Sequence, residues 1–220
     1  MHKIDWAATE AIRERGLNRF DVLAPESTAL IVVDMQTGFL DPSFRSYCPQ
    51  ALDVAPNINW IARAMRAAGG VVVHTRQTTL DDPARGPPAW QRARAALGPY
   101  FASLEPGAAG HRLHPVLEVA AQDLGVDKVR YSAFLPISST LDLDLRARRV
   151  DTVVITGTVT NICCESSARD AHMMGYRVYF VADATAAMTD EAHNASLATL
   201  GLSFADVRRT EEMLALLAKR

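Results

Sequence analysis

Three side chains in this sequence have complementary chemistry: the carboxyl group of Asp34, the ammonium group of Lys128 and the thiol of Cys163. Each lies within or just after a short apolar run of the kind that is typical of a strand buried in a parallel sheet. Because open parallel sheets bind their ligands beyond the carboxyl ends of the strands, the three side chains are predicted to converge there. Taken singly, each has a structural alternative, namely a loop aspartate, a solvated lysine or a buried cysteine.

The chain has three cysteines, and the sequence favours Cys163 as the reactive one. Cys163 and Cys164 follow the apolar run 151–156 and the segment 157–161, and a helix is predicted to begin at Cys163. On that helix Cys164 shares its face with small apolar residues, which suits packing against the sheet, whereas Cys163 shares its face with polar residues. Cys48 lies in a loop and is assigned a structural or incidental role.

This set of groups predicts nucleophilic attack by sulfur on an amide carbon. A free thiol has a pKa of about 8.5 and is mostly protonated at neutral pH, although the thiolate is the attacking species. Asp34 is expected to accept the proton and return it to the leaving amine, while Lys128 and the positive end of the helix stabilise the thiolate. The backbone N–H groups of Val159 and Cys163 are the expected donors to the oxyanion.

Composition narrows the class of protein. The chain has 220 residues with 49% hydrophobic content, which suits one domain over residues 1–220 with a substantial core. The formal net charge is -2 and no basic stripe is present, so we expect a small-molecule substrate rather than nucleic acid or a membrane. No run approaches the roughly 20 apolar residues that span a bilayer. The odd number of cysteines and the charged N-terminus, which lacks an apolar signal core, predict a cytoplasmic protein.

Alternating strand and helix patterns predict an α/β fold with a mainly parallel sheet and helices on both faces. Strands are predicted at 29–33, 71–75, 126–129, 151–156 and 177–181. Helices are predicted at 6–15, 54–68 and 90–96, from a cap at 138–140 up to 149, and at 163–174, 190–202 and 211–218. Residues 1–25 are interpreted as an N-terminal helical extension. Residues 78–115 are interpreted as an excursion near the active site.

Three segments of the sequence resemble the motifs of the isochorismatase-like cysteine hydrolase superfamily. They are 31–36 with Phe39, 128–134 and 157–171. The resemblance implies a three-layer α/β/α architecture, the Rossmann-like isochorismatase fold, with a six-stranded mainly parallel sheet. It also implies a catalytic triad of Asp34, Lys128 and Cys163 and a non-proline cis peptide at Thr158–Val159. Relatives of this kind form dimers or tetramers, so a homo-oligomer is expected.

Within the superfamily, the motifs look most like those of ureidoacrylate amidohydrolase-type amidases. That resemblance implies hydrolysis of the C–N bond of a small linear amide or of a ureido or carbamoyl compound through a thioester intermediate. Nicotinamidases have a metal-binding Asp-x-His pattern after the second strand, whereas this chain has His74 followed by Thr75 and Arg76. We therefore expect no metal and no cofactor, and interpret His74 as a strand-end hydrogen-bonding residue.

Two other functions fit the same fold. Vinyl ether hydrolysis of the isochorismatase type does not use covalent catalysis, and the presence of Cys163 favours C–N hydrolysis over it. A catalytically silent binding or assembly protein would have no need for a buried set of charges, so the intact Asp34, Lys128 and Cys163 argue against that alternative.

Six residues are candidates for contacts with the substrate. Gln77 and Asn161 are candidate polar contacts, and Tyr131 is a candidate hydroxyl donor that could equally be a packing residue. An apolar wall of the pocket is predicted from three aromatic residues that are also compatible with an ordinary core: Phe39, Trp90 and Phe134.

Overall fold

The computed structural model describes residues 1–219, and within them six parallel strands form one sheet. In chain order the strands are β1 (Thr28–Val33), β2 (Val71–Gln77), β3 (Leu124–Lys128), β4 (Thr152–Thr158), β5 (Arg177–Ala186) and β6 (Asp206–Arg208). Their spatial order is β3-β2-β1-β4-β5-β6, and every neighbouring pair is parallel. The predicted α/β class and six-stranded sheet are confirmed. Because the strand order reverses between β1 and β4, the ends of these two strands flank the crevice where such sheets bind ligands.

Helices cover both faces of the sheet. The α-helices of the described residues are α1 (Trp6–Arg15), α2 (Thr37–Leu40), α3 (Ala51–Ala67), α4 (Ala89–Arg92), α5 (Gly98–Ser103), α6 (Leu141–Ala147), α7 (Glu165–Met173), α8 (Asp190–Ser203) and α9 (Thr210–Ala218). Every residue of β1 is buried. Its Leu30 and Val32 pack with residues of α3 and α9, whereas Ile31 and Val33 pack with residues of α6, α7 and α8. A strand that is covered on both faces explains the continuous apolar run in the sequence.

One strand of the sheet was not predicted from its own sequence. β6 has only three residues and includes two charged ones, Asp206 and Arg208, so it lacks the apolar run of a buried strand. Asp206 is nevertheless fully buried, because Arg208 and Arg13 bind its carboxylate at 2.8 and 2.7 Å. Burial of this carboxylate is therefore compensated by paired charges rather than by apolar packing. β5 also differs from its prediction, since it extends five residues beyond position 181.

Two segments lie outside the alternating pattern of strands and helices: the N-terminal segment 1–25 and the excursion 78–115. The N-terminal segment contains α1, which packs against α8. The excursion of residues 78–115 contains α4 and α5, separated by a short 3-10 turn at Ala95–Leu97, so the single helix predicted over 90–96 is wrong. No helix in residues 1–219 is both long and apolar enough to cross a membrane.

Candidate active site

Asp34, Lys128 and Cys163 come together at the carboxyl ends of β1, β3 and β4. The Lys128 Nζ atom lies 2.7 Å from Asp34 Oδ2 and 3.4 Å from Cys163 Sγ. The side chains of Asp34 and Lys128 are fully buried, and Cys163 is 4% exposed. One ammonium group therefore contacts both a carboxylate and a thiol in an environment from which water is largely excluded.

The backbone after β1 turns sharply to present Asp34. Its φ of 49° lies in the left-handed region, which an aspartate adopts more readily than a β-branched residue. Its carboxylate Oδ1 accepts a hydrogen bond of 2.8 Å from the Thr75 hydroxyl, and the Asp34 N–H donates to the same hydroxyl at 3.2 Å. Gly157 lies beside this turn with a φ of 106°, and a Cβ atom there would collide with the backbone of Val33. These contacts fix the carboxylate at the crevice.

Lys128 crosses from the edge strand β3 toward β1 and is surrounded by acceptors. Besides Asp34 and Cys163, its ammonium group donates to Gln77 Oε1 at 2.8 Å and to the Arg130 carbonyl at 3.1 Å. Burial alone would lower the pKa of Lys128, but the neighbouring Asp34 carboxylate and the Cys163 sulfur raise it on balance. The lysine is therefore cationic at neutral pH.

Cys163 lies in a π-helical turn, Thr160–Cys164, and not in the first turn of the α-helix that was predicted to begin there. The Val159 carbonyl caps this turn, accepting from the N–H groups of Ile162 at 3.0 Å and Cys164 at 3.2 Å. Burial raises the pKa of the Cys163 thiol to about 12, and the Asp34 carboxylate adds to this effect while Lys128 opposes it. The buried site therefore favours the neutral thiol over the thiolate, so attack by Cys163 requires a group that accepts its proton.

A cavity of about 390 Å³ opens above Cys163. This volume falls within the roughly 300–1,000 Å³ range of small-molecule sites. The sheet side contributes Gln77, Val159 and Cys163, and the excursion contributes a wall that includes Tyr100 and Phe101. The excursion thus covers the crevice and gives the buried thiol a bounded, mostly apolar chamber.

The structure brings three of the six candidate contact residues to this cavity. Phe39, Gln77 and Tyr131 line it, with Tyr131 half exposed at 51%. The other two members of the predicted apolar wall are placed elsewhere. Trp90 is 67% exposed on α4 and does not line the cavity, and Phe134 is buried in the core, packed edge-on against Tyr176.

Asn161 also does not line the cavity, and it is exposed to solvent within the π-helical turn. Val159, a candidate oxyanion donor, lines the cavity beside Cys163, and the peptide bond Thr158–Val159 is cis. The two candidate N–H donors therefore belong to the segment that forms the floor of the chamber.

Several residues that shape the site were missed by the sequence analysis. Gln36 is fully buried and bridges three segments, because its amide group donates to the carbonyls of Gln77 and His111 and accepts from the Gln77 N–H at 2.7 Å. Arg45 and Tyr100 line the cavity from a turn and from the excursion. Gln36 is the last residue of the segment 31–36 in the first motif, and that position was the available signal, whereas neither Arg45 nor Tyr100 lies in a periodic pattern.

His74 makes a hydrogen bond within the fold. It lies within β2, and its Nε2 atom is 3.1 Å from the carboxylate of Asp123, which Arg66 also binds at 2.6 Å. In residues 1–219 no group of three His, Cys, Asp or Glu side chains is arranged to hold a metal ion. The hydrogen bond to Asp123 fits the structural interpretation of His74.

The other two cysteines are in packing positions. Cys164 is fully buried with its sulfur 3.8 Å from the Thr156 carbonyl, and Cys48 is fully buried with its thiol donating to the Ala187 carbonyl at 3.2 Å. Neither lines the cavity above Cys163. Burial raises the pKa of both thiols, so neither is an accessible nucleophile.

Comparison with known proteins places this geometry in context. The family model described as Isochorismatase domain matches residues 28–212. The chain is 36% identical to the ureidoacrylate amidohydrolase RutB of Methylobacterium radiotolerans over 200 residues, which cover 83% of this chain and 76% of that protein. It is similar to a cysteine hydrolase from Pseudomonas syringae pv. phaseolicola, with a TM-score of 0.82, 32% identity and coverage of 91% and 96%. N-carbamoylsarcosine amidase from Thermoplasma acidophilum gives a TM-score of 0.68 at 27% identity, with coverage of 84% and 97%.

Proposed function

This chain belongs to the isochorismatase family of hydrolases, which includes amidohydrolases, and from that membership we propose that it hydrolyses a C–N bond through a thioester on Cys163. The proposed substrate is a small linear amide or a ureido or carbamoyl compound. One observation carries the proposal: the Lys128 ammonium contacts both Asp34 and Cys163 directly below a cavity of small-molecule size. The names of two similar proteins, an amidohydrolase of ureidoacrylate and an amidase of N-carbamoylsarcosine, support the same bond type.

The proposed reaction begins with a neutral thiol. Asp34 takes the thiol proton as Cys163 Sγ forms a bond to the substrate carbonyl carbon, and the carbonyl π electrons become the oxyanion. The backbone N–H groups of Val159 and Cys163 stabilise that oxyanion. Collapse of the tetrahedral intermediate breaks the C–N bond, and the leaving amine takes the proton from Asp34.

The second half of the proposed reaction restores the enzyme. Water attacks the thioester carbon while Asp34 accepts a proton from it, and the C–S bond breaks to release the acid or, from a carbamoyl substrate, a carbamate. The proton on Asp34 returns to the sulfur. Lys128 keeps its proton throughout and holds its position beside both reacting groups, through the hydrogen bonds to Gln77 and Arg130.

A panel of small amides, ureido acids and carbamoyl compounds tests this proposal through release of ammonia. We expect release by the wild-type protein and none by Cys163→Ala or Cys163→Ser, while Cys48→Ala serves as the matched cysteine control and keeps its turnover. Acid quenching during turnover should leave an acyl adduct on the peptide that contains Cys163. Full turnover by Cys163→Ala would exclude the thioester, and turnover of isochorismate by that variant would assign vinyl ether hydrolysis instead.

A further inference from the structure

A stacked pair of buried imidazole rings contacts the π-helical turn that carries Cys163, and the proposed reaction uses neither ring. His193, on α8, is fully buried, and the side chain of His2, which precedes α1, is 1% exposed. The ring centroids are 4.1 Å apart and the ring planes are within 11° of parallel. Burying a polar ring costs free energy that an apolar side chain would not cost, so the pair calls for an explanation.

Hydrogen bonds at both nitrogens hold the His2 ring in one orientation. The Ala187 N–H donates to His2 Nε2 at 2.8 Å, so this nitrogen carries no proton, and His2 Nδ1 donates to Asp190 Oδ1 at 2.8 Å. Ala187 directly follows β5 and Asp190 is the first residue of α8, so His2 joins the N-terminal segment to the connection between these two elements. The His2 ring therefore gives His193 a fixed surface on which to stack.

His193 is joined to the π-helical turn by one hydrogen bond. Its Nδ1 atom lies 2.9 Å from the hydroxyl oxygen of Thr160, the first residue of the turn, and both side chains are fully buried. Within residues 1–219 this is the only hydrogen bond of the His193 ring. It is also the only side-chain hydrogen bond in that range between the turn and a helix, since the sulfur atoms of the turn contact strands.

The position of Thr160 matters because of what lies on either side of it. π-Helical hydrogen bonding is uncommon and occurs mostly as single turns at functional sites. In this turn Thr160 lies between the two expected oxyanion donors, the N–H groups of Val159 and Cys163. A displacement of Thr160 would therefore move both donors and the Cys163 sulfur relative to the substrate carbonyl.

We infer that His193 and His2 are positioning residues for the proposed hydrolysis. His193 holds Thr160 and His2 holds His193, so that the N–H groups of Val159 and Cys163 face the place where the oxyanion forms. This inference rests on the proposed function, and it makes the N-terminal segment part of the support of the active site. Because oxyanion donors bind the transition state more strongly than the substrate, loss of this support should lower kcat and leave KM nearly unchanged.

Paired variants of Thr160 and His193 test the inference through turnover. Ammonia release is measured with succinamate or, where another member of the panel reacts faster, with that compound. Thr160→Val and His193→Leu each remove the bond between the two side chains, and each should lower kcat by about tenfold, less than the roughly 10²–10³-fold that follows loss of a whole donor. Thr160→Ser and His193→Asn keep a polar atom at the same place and should restore kcat. Because both single changes break one bond, the double variant should be no slower than either of them.

His2→Ala should also lower kcat, and this loss should disappear in the His193→Leu background. Asn18→Ala is the matched control, because the Asn18 amide joins the same N-terminal segment to the other end of α8, donating to the Ser203 carbonyl at 2.8 Å. It should leave kcat and KM unchanged. Full kcat in both Thr160→Val and His193→Leu, or a double variant whose loss is the product of the single losses, would overturn the inference while the proposed function stands.

Amide hydrogen exchange followed by mass spectrometry separates the inference from the proposed reaction, because it needs no substrate. The N–H groups of Ile162 and Cys164 are bonded to the Val159 carbonyl. Exchange in a peptide that spans residues 159–165 therefore reports how well the turn is held. Exchange in a peptide that spans β1 reports the stability of the whole sheet and serves as the internal reference.

His2→Ala, His193→Leu and Thr160→Val should each speed exchange in the turn and leave β1 unchanged, whereas Asn18→Ala should leave both peptides unchanged. If no amide is hydrolysed but this pattern is found, the support of the turn by the two histidines stands and the proposed reaction fails. Wild-type exchange in the turn of all three variants, or equal acceleration in β1, would overturn the inference whatever the outcome of the turnover assay.

Discussion

Replacing Lys128 by methionine tests how strongly the buried charges of the site are coupled. Both side chains of the Lys128–Asp34 pair are fully buried, and their charged atoms are 2.7 Å apart. Methionine keeps the length of the side chain but leaves the Asp34 carboxylate without this cation, beside the neutral Thr75 hydroxyl and Cys163 thiol. Removing one partner of a buried pair costs about 3–5 kcal/mol, because the other charge stays buried and uncompensated.

A double-mutant cycle of Lys128→Met and Asp34→Asn measures the coupling free energy between the two side chains. For a chain of this size each kcal/mol shifts the melting temperature by about 2–4 °C, so Lys128→Met should melt about 6–20 °C below the wild-type protein. Asp34→Asn should cost less, because Lys128 keeps its bonds to Gln77 and Arg130 and its pKa falls once the carboxylate is gone. The double variant has no buried charge at positions 34 and 128. It should be more stable than the sum of the single effects predicts, by about 1–3 kcal/mol.

Urea unfolding at pH 7, followed by circular dichroism, gives the four free energies of the cycle. Arg76→Ala is the control, because it breaks an ion pair to Asp127 on the same two strands, β2 and β3, at 2.6 Å but with both side chains substantially exposed. That change should cost only about 0–1 kcal/mol. The reasoning is refuted if Lys128→Met costs no more than Arg76→Ala. Single effects that add to the double effect within about 0.5 kcal/mol would also refute it.

Three further predictions concern titration and the excursion. Because burial raises the pKa of Cys163, its alkylation by iodoacetamide in Asp34→Asn, which has no carboxylate to accept the thiol proton, should be slow at pH 7 and still rise above pH 8.5, and a plateau near pH 8.5 would contradict this. Burial lowers the pKa of His193 to about 3, so below about pH 6.5 this side chain takes up a proton only in the unfolded chain, and the free energy of unfolding decreases as pH falls toward 4. In His193→Gln, urea unfolding should show a smaller decrease over this range, by at most ~1.4 kcal/mol per pH unit. An equal decrease in the variant and the wild-type protein would contradict this prediction. Arg130→Gln removes the hydrogen bond from Arg130 to the Arg85 carbonyl in the excursion, so it should speed limited proteolysis at 80–92 and raise KM more than it lowers kcat. Cleavage at the wild-type rate would show that Arg130 does not hold the excursion in place.

The convergence of the three chemical groups could be anticipated because it follows from strand ends alone. Apolar runs that stop at Asp34 and near Lys128 identify the carboxyl ends of β1 and β3, and in a parallel sheet all such ends lie at one edge. The π-helical turn at Thr160–Cys164 could not be anticipated in this way. It differs from the predicted helix start by its hydrogen-bond spacing, which depends on the capping Val159 carbonyl rather than on a residue pattern.

The wall of the cavity was predicted less well, and the reason is geometric. Aromatic side chains indicate burial or a pocket equally, so Phe134 in the core and Trp90 on the surface could not be separated from Phe39 in the cavity. Tyr100 and Arg45 belong to segments without periodicity. Their positions depend on tertiary bonds, such as that of Ser46 to Gly38 beside Arg45, and no local pattern encodes these.

The shared ammonium group explains how a thiol with a raised pKa can still attack. When Asp34 is ionised, a thiolate at Cys163 would be a second anion beside one cation, and burial makes that state costly. Transfer of the thiol proton to Asp34 replaces the Asp34 carboxylate by the Cys163 thiolate as the anion beside the Lys128 ammonium group. The buried set of Asp34, Lys128 and Cys163 therefore has one positive and one negative charge before and after the transfer. Activation in this arrangement therefore depends on charge exchange within the set and not on a lowered thiol pKa. It follows that Asp34→Asn should abolish turnover even though it removes a group that raises the pKa of Cys163.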